Sequence, residues 1–336
     1  MAVDMTPRIH GGPDAQGPLP WDFSSNANAC GPCPEALQWV AQADPTRYPD
    51  PGYTALKQQL AGFHGVAVGR VLLAGSASEC IQRVTAWCGQ RGVRRVWTPL
   101  HAYGDYAHAA SVWGLQAASK PEAAGLVWLC DPSSPLGQSE SPLAMPLAEA
   151  GGAAPVVVLD RAYEPLRLQG RCVLKNTQLA QVWQMWSPNK ALGLTGVRAA
   201  YAIAPEGAED HVGALERLAP SWPVGAHGVN LLQSWTHASV QAWVARSREV
   251  LTGWVEDLRN TLLERGWTCS TSATPYFCAR PPKPLRAEVL FARGVKLRDA
   301  SSFGLPGWWR LSAQPPAALG ALCAALDAPT GPQEEM

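Results

Sequence analysis

The chain has 336 residues, with 27 Lys and Arg against 27 Asp and Glu and a formal net charge of zero. That length allows one large and one smaller domain with ample core, and the charge balance argues against nucleic acid or an anionic membrane surface as partner. No apolar run reaches the length of a bilayer-spanning helix and the first residues lack a signal peptide's basic and apolar regions, so a cytoplasmic protein is expected.

Residues 1–20 are rich in Pro and Gly and predict an extended arm, with His10-Gly11-Gly12 as a flexible turn that could reach into a site. Residues 21–34 read as a short strand and a turn. Cys30-Gly-Pro-Cys33 has the spacing of a thioredoxin-type pair, but Ser24-Ser-Asn-Ala-Asn-Ala precedes it and Pro34 follows, so a turn is expected. The nine cysteines are expected to be reduced, and no second Cys or His pair completes a zinc site, so no metal is expected. A helix should open at Pro34, where Pro and Glu35 suit the first turn. A rigid loop, Arg47-Tyr48-Pro-Asp-Pro-Gly-Tyr53, leads to a second helix over 54–63, with Leu56, Leu60 and Phe63 on one stripe.

Val71-Leu-Leu-Ala74, then Gly75-Ser-Ala-Ser78, then a helical segment from Glu79 to Trp87, make a strand, a small-residue turn and a helix start. Such a turn can cup a phosphate with backbone N–H groups and the helix dipole, though any β/α unit has one. Neither a dinucleotide fingerprint nor a P-loop is present. Arg95–Thr98 predicts a strand ending near Tyr103, an aromatic that could stack on a flat cofactor or simply pack. Gly125–Cys130 predicts another strand, ending in Asp131-Pro-Ser-Ser134-Pro-Leu-Gly137.

Pro155-Val-Val-Val-Leu-Asp160 has the look of a buried parallel strand that ends in a carboxylate, at the end where open α/β sheets place ligands. Thirty residues on, a strand-like run leads through Ser187 to Lys190 in a turn, and Arg198 follows in a Gly-punctuated segment. An amine held between a hydroxyl and a guanidinium can form a Schiff base while they hold a phosphate beside it. Pyridoxal 5′-phosphate (PLP) needs that arrangement, and an Asp can pair with its pyridine nitrogen. A lone Lys would read as a surface residue near a helix start; the Asp-ended strand is what weighs against that here. Beyond residue 205, helical stretches over 207–219 and 226–265 are expected. Short strands follow near 276–279, 294–297 and 308–313, then an amphipathic helix over 316–326 and a disordered tail from 327. The alternation of strands and helices predicts an α/β fold with a mostly parallel sheet, helices on both faces.

The spacing of Gly75-Ser-Ala-Ser, Tyr103, Asp131-Pro-Ser-Ser-Pro-Leu-Gly, Asp160-Arg-Ala-Tyr163, Ser187-Pro-Asn-Lys190, Arg198 and Arg310 resembles the fold-type I (class I/II) PLP-dependent aminotransferases over nearly the whole chain. Within them it is similar to the histidinol-phosphate aminotransferase branch, and most to the threonine-phosphate decarboxylases of cobalamin biosynthesis. His10-Gly-Gly, Phe23-Ser-Ser-Asn-Ala-Asn, Pro220-Ser-Trp-Pro-Val224 and Leu297-Arg298-Asp with Gly307-Trp-Trp-Arg310 carry that last likeness.

The resemblance implies a 1–34 arm that belongs partly to the small domain, a 35–225 large PLP-binding domain and a 226–326 small domain. It implies that Lys190 holds the cofactor, Asp160 pairs with its ring nitrogen and Tyr163 bonds its ring oxygen. Tyr103 would stack on the ring, and Ser76, Ala77, Ser187 and Arg198 would hold the phosphate. Tyr48 would reach that phosphate from the other subunit of a homodimer. Arg310 would bind the substrate carboxylate, with His10, Gly11, Asn26 and Arg298 as further substrate contacts. Three departures stand out: Ser134 occupies the place of the family's ring-facing Asn, Arg161 that of a Glu, and Pro188-Asn189 before the Lys is atypical. The activity implied is decarboxylation of L-threonine O-3-phosphate to 1-aminopropan-2-yl phosphate. The alternatives are an aminotransferase and, more remotely, a non-catalytic PLP-binding regulator.

Overall fold

The computed structural model describes residues 10–15, 17–139 and 154–328; part of the N-terminal arm and the tail from 329 therefore lie outside the described residues. In chain order the first elements are β1 (Trp21–Asp22), α1 (Pro34–Ala41), α2 (Thr54–His64), β2 (Val71–Ala74) and α3 (Ala77–Gln90). Next come β3 (Arg95–Trp97), α4 (Gly104–Val112), β4 (Gln116–Ala117), β5 (Leu126–Cys130), β6 (Val156–Asp160), α5 (Asn176–Leu179), β7 (Trp183–Trp186) and β8 (Ala200–Ile203). The rest are α6 (Glu209–Arg217), α7 (Ala226–Trp235), α8 (Ala238–Glu264), β9 (Thr268–Cys269), β10 (Tyr276–Arg280), α9 (Ala287–Phe291), β11 (Val295–Lys296), β12 (Arg298–Asp299), β13 (Trp309–Ser312) and α10 (Pro316–Asp327).

A seven-stranded sheet in the order β2-β8-β7-β6-β5-β3-β4 forms the centre. Strands β7, β6, β5, β3 and β4 run parallel, while β8 is antiparallel to both its neighbours. The sheet is therefore mostly parallel, as expected. The apolar runs of β5 and β2 are buried at every residue, because helices cover both faces of the strands. One cluster, with Ile81, Tyr106, Leu126 and Trp128, packs α3 and α4 on one face; another, with Leu56, Leu60, Leu232 and Trp235, packs α2 and α7 near the opposite face.

Three sequence readings needed correction. Helix α4 was not foreseen, since Gly104-Asp-Tyr-Ala-His has little helical periodicity and the helix is made by packing its Tyr106, Ala109 and Ala110 into the core. The Gly-punctuated segment that carries Arg198 ends as the strand β8. The helical stretch expected over 226–265 is two helices: Thr236 caps α7 with its hydroxyl on Gln233 O, and His237 is extended before α8 begins.

Helix α8 spans two cores. Val240, Val244 and Leu251 join the large cluster, whereas Leu258 and Leu262 join a second core with Phe23, Phe277, Leu311 and Leu322. That second core lies under a four-stranded antiparallel sheet, β12-β13-β10-β9. Strand β1 pairs with β11 there in parallel. We propose that the smaller unit begins part-way along α8, since α7 packs with the large core; the expected boundary at 226 would split that core.

Candidate active site

Every strand that carries an expected cofactor residue ends toward the same rim of the sheet. Asp160 closes β6 and is 4% exposed. Its Oδ1 accepts from the Ala162 amide at 2.9 Å and its Oδ2 from the Tyr106 hydroxyl at 2.7 Å. Burial raises its pKa, opposed first by the Tyr106 hydrogen bond and then by the charge of Lys190. Lys190 follows β7, and its Nζ lies 5.4 Å from the centre of the Tyr163 ring. The backbone of the Lys190 turn is pinned from the N-terminal segment. Asn28 donates its amide to Lys190 O and its side-chain Nδ2 to Ala191 O, each at 2.9 Å.

Ser76 caps α3. Its Oγ accepts from the Glu79 amide at 3.1 Å, and the Glu79 carboxylate accepts in return from the Gly75 amide at 3.0 Å. With the third turn residue capped, the amides of Ala77 and Ser78 are the remaining donors of a helix N-terminus, which suits a phosphate. Gly75 is required by packing: a Cβ there would stand 2.7 Å from Pro223 O. Tyr103 precedes α4, and its hydroxyl is held by Asp105 at 2.9 Å and Ser78 at 3.2 Å, which fixes the ring. Ser187 is buried and donates to Asn189 Oδ1 at 2.9 Å. Arg198 is exposed on the segment that leads into β8.

The substrate residues expected from sequence lie beside these: Asn26 meets Tyr163, His10 faces Tyr103 and Arg310 faces Ser134. Arg298 and Arg310 are direct cross-strand partners, 3% and 6% exposed. Phe303 lies under both guanidinium groups, at 4.9 and 5.7 Å. Burial and then the neighbouring Arg310 charge pull Arg298 down to about 10. Arg310 donates to Ser24 O at 2.8 Å and faces Ser134 Oγ at 3.5 Å. Asn26 is 7% exposed and donates to the Tyr163 hydroxyl at 3.3 Å, while its Oδ1 is buried without a partner. Gly11 packs so closely that a Cβ would overlap Ser24 O, and His10 lies 6.1 Å from the Tyr103 ring.

Tyr48 is the expected residue that the fold leaves outside this cluster. It is 78% exposed and stacks on Trp222 at 4.3 Å. Arg161, next to Asp160, turns away from the site: it lies over the Trp186 ring at 4.4 Å and pairs with Gln184 and Glu164. Sequence reasoning missed Tyr106, Phe303, Asn28 and Tyr276, whose ring meets Tyr163 edge-on at 4.8 Å. Asn28, in Phe23-Ser-Ser-Asn-Ala-Asn28, was visible as part of a turn and of a family motif but with no role of its own.

The geometry fits PLP on its own terms: a buried carboxylate and an amine on adjacent strand ends, a fixed aromatic ring, a helix N-terminus, and unpartnered buried atoms at Asn26 Oδ1 and Arg310 Nε. The sequence profile of the class I and II aminotransferases matches residues 114–326. The chain belongs to that family. It is a PLP-dependent enzyme, and the fold is the fold-type I architecture. An aromatic amino acid aminotransferase of Rhodococcus opacus is 30% identical over 54% of the chain and 56% of its own length. Histidinol-phosphate aminotransferase 1 of Thiobacillus denitrificans is 26% identical over 86% of the chain and 80% of its own length.

Among solved structures, histidinol-phosphate aminotransferase from Sinorhizobium meliloti in complex with PLP superposes with a TM-score of 0.75 at 21% identity, covering 90% of this chain and 88% of that one. L-threonine-O-3-phosphate decarboxylase from Porphyromonas gingivalis gives 0.77 at 20% identity, covering 91% and 98%. Among the described residues no helix is long and apolar enough to cross a membrane.

Proposed function

We propose that this enzyme acts on a small amino acid or amine that carries a phosphate, and that Arg298 and Arg310 hold its anionic groups, a carboxylate and a phosphate in an amino acid and the phosphate alone in an amine. The observation behind this is the cross-strand arginine pair, buried and side by side. Two like charges directly opposite in an antiparallel pair repel, and burial removes the water that would screen them. An anionic substrate offsets both costs, and bidentate contact suits carboxylate and phosphate alike.

When bound, PLP supplies an electron sink for whichever bond at the substrate Cα is broken. In this reading Asp160 holds the ring nitrogen's charge, Tyr163 with Asn26 holds the ring oxygen, and Tyr103 covers the ring. Ala77, Ser78, Ser187 and Arg198 take the cofactor phosphate. Arg310 takes the carboxylate of a substrate that has one, and Arg298 the distal phosphate. Which bond breaks is set by how that clamp turns Cα. Aminotransfer is the reading that the sequence relatives favour: the Cα–H bond is presented to Lys190, whose Nζ takes the proton. Tyr48 would serve a partner subunit's site in a homodimer.

A second reading is decarboxylation of L-threonine O-3-phosphate, as in cobalamin biosynthesis. It is supported by the decarboxylase neighbour, covered over 98% of its length, and by the seating of Gly11 against Arg310 and His10 near Tyr103. One experiment separates the two. Purified enzyme is given O-phospho-L-threonine, and separately histidinol phosphate with 2-oxoglutarate, and both CO2 and glutamate are measured. Glutamate formed from histidinol phosphate supports aminotransfer. CO2 without any requirement for a keto acid supports decarboxylation. Turnover of unphosphorylated amino acids in preference to either overturns the phosphate reading.

A further inference from the structure

The Tyr106 hydroxyl has a place that the catalytic residues alone do not explain. The side chain is fully buried and stacks on Trp128, with ring centres 4.9 Å apart and planes within 8°. A Phe would pack the same way. The hydroxyl is needed only for what it touches, and it donates to Asp160 Oδ2 at 2.7 Å. With the Ala162 amide on Oδ1, both oxygens of this carboxylate are bonded by neutral donors. The groups facing Asp160 are few. Lys190 approaches from the turn after β7, Cys80 from α3, and Tyr106 from α4, with Cys130 of β5 beside the Tyr106 hydroxyl. Burial pushes the Cys80 thiol up to about 12 and raises the Tyr106 phenol well above its usual value. Tyr106 is therefore a permanent neutral donor.

We propose that Tyr106 is a positioning residue that keeps the proton shared between Asp160 and the cofactor on the ring nitrogen. This rests on the reading of Asp160 as that nitrogen's partner. A carboxylate and a pyridine nitrogen in contact share one proton, which sits on oxygen or on nitrogen. A hydrogen bond donated to the carboxylate stabilises its ionised form and so moves the proton to nitrogen. No other reactant is needed, because one proton moves along one hydrogen bond. Helix α4 thus serves the cofactor twice. Tyr103 at its start is placed to cover the ring, and Tyr106 one turn on sets the charge of the ring's partner; the two rings meet edge-on at 5.7 Å.

The test loads the enzyme with PLP carrying nitrogen-15 in the ring and reads that nitrogen's chemical shift in wild type, Tyr106→Phe and Asp160→Asn. In Tyr106→Phe the signal should move toward that of neutral pyridine, and kcat should fall roughly tenfold with KM little changed, the loss of one charge-assisted hydrogen bond. Fluorotyrosine placed at 106 keeps the ring and the hydroxyl and donates more strongly, so it should move the signal the opposite way; it also serves if the Phe variant folds poorly. A signal that stays at the wild-type position in both Tyr106 variants overturns the proposal. If Asp160→Asn also leaves it in place, the reading of Asp160 itself has failed, which is a separate result.

Discussion

At the scale of single residues, the two arginines should separate by what they bind. Arg298→Ala should cost a phosphorylated substrate on the order of 2 kcal/mol, roughly 30-fold in kcat/KM, for one lost charged contact. Its unphosphorylated counterpart should hardly respond. Arg310→Ala should weaken both alike, and steady-state kinetics on the substrate pair checks this. A second residue prediction concerns His64. It sits between Trp186 and Tyr201, and burial followed by the Arg161 charge lowers its pKa from 6.5 to about 4. Trp235 donates to the Tyr201 hydroxyl at 3.1 Å, and His64 Nε2 lies 2.8 Å from the same oxygen, a bond that the neutral ring makes in either tautomer. The folded pKa lies below the unfolded one. The contribution of the neutral ring is therefore complete above about 6.5 and is lost as pH falls to about 4, at most on the order of 3 kcal/mol. Urea midpoints across that window should fall less steeply in His64→Phe. Asp160 and Lys190 stood out in the sequence because of what precedes them: Val-Val-Val-Leu before Asp160, a strand and a turn before Lys190. Tyr106 was not, because a buried hydroxyl on an unremarkable helix leaves no pattern in sequence until its partner is known.

At the scale of elements, α7 illustrates a conflict between propensity and packing. Gly228 lies inside this helix, and Gly→Ala there would ordinarily gain about 1 kcal/mol of helix propensity. A Cβ at 228 would stand 2.8 Å from Val224 Cγ1, 2.9 Å from Arg198 O and 3.1 Å from Ala199 Cβ. One of those atoms is backbone and cannot rotate away. Overpacking of this kind costs about 1–3 kcal/mol and should outweigh the gain. Gly228→Ala is therefore expected to lower Tm and to weaken PLP affinity by shifting the Arg198 segment, both measurable by calorimetry. A raised Tm with unchanged affinity would mean that α7 moves off without consequence. Strands were read from sequence more faithfully than helix boundaries, since a β-branched run such as Val156–Leu159 has few other places to go, whereas the break at Thr236 and His237 depends on how α7 meets α1 and α2. The antiparallel β8 was unreadable because direction within a sheet is set by connections.

At the scale of the whole molecule, the residues between β1 and α1 tie the parts together. Asn28 donates to Ala191 O and to Ser247 Oγ at 2.9 and 2.8 Å, and accepts from the Cys30 amide at 3.1 Å. Asn28→Ala strips partners from buried groups on two elements at once, which costs about 1–3 kcal/mol per unsatisfied group. The expected results are a lower urea midpoint and a holoenzyme that releases PLP faster, since the Lys190 turn loses a support. Added PLP should in turn raise the unfolding midpoint of the wild-type chain, by about 2.7 kcal/mol at one hundred times its Kd. The same short segment also has a bearing on how the chain is born. Strand β1 pairs with β11, Arg310 bonds Ser24, and Ser312 bonds Phe23. Residues 21–24 thus wait for residues 295–312 before they find these neighbours. Contacts so distant along the chain make acquisition of the native state slow. Newly made enzyme should pass through a long-lived species with the central sheet in place and no competent site, and such a species would lean on chaperones until residues 295–312 have joined it.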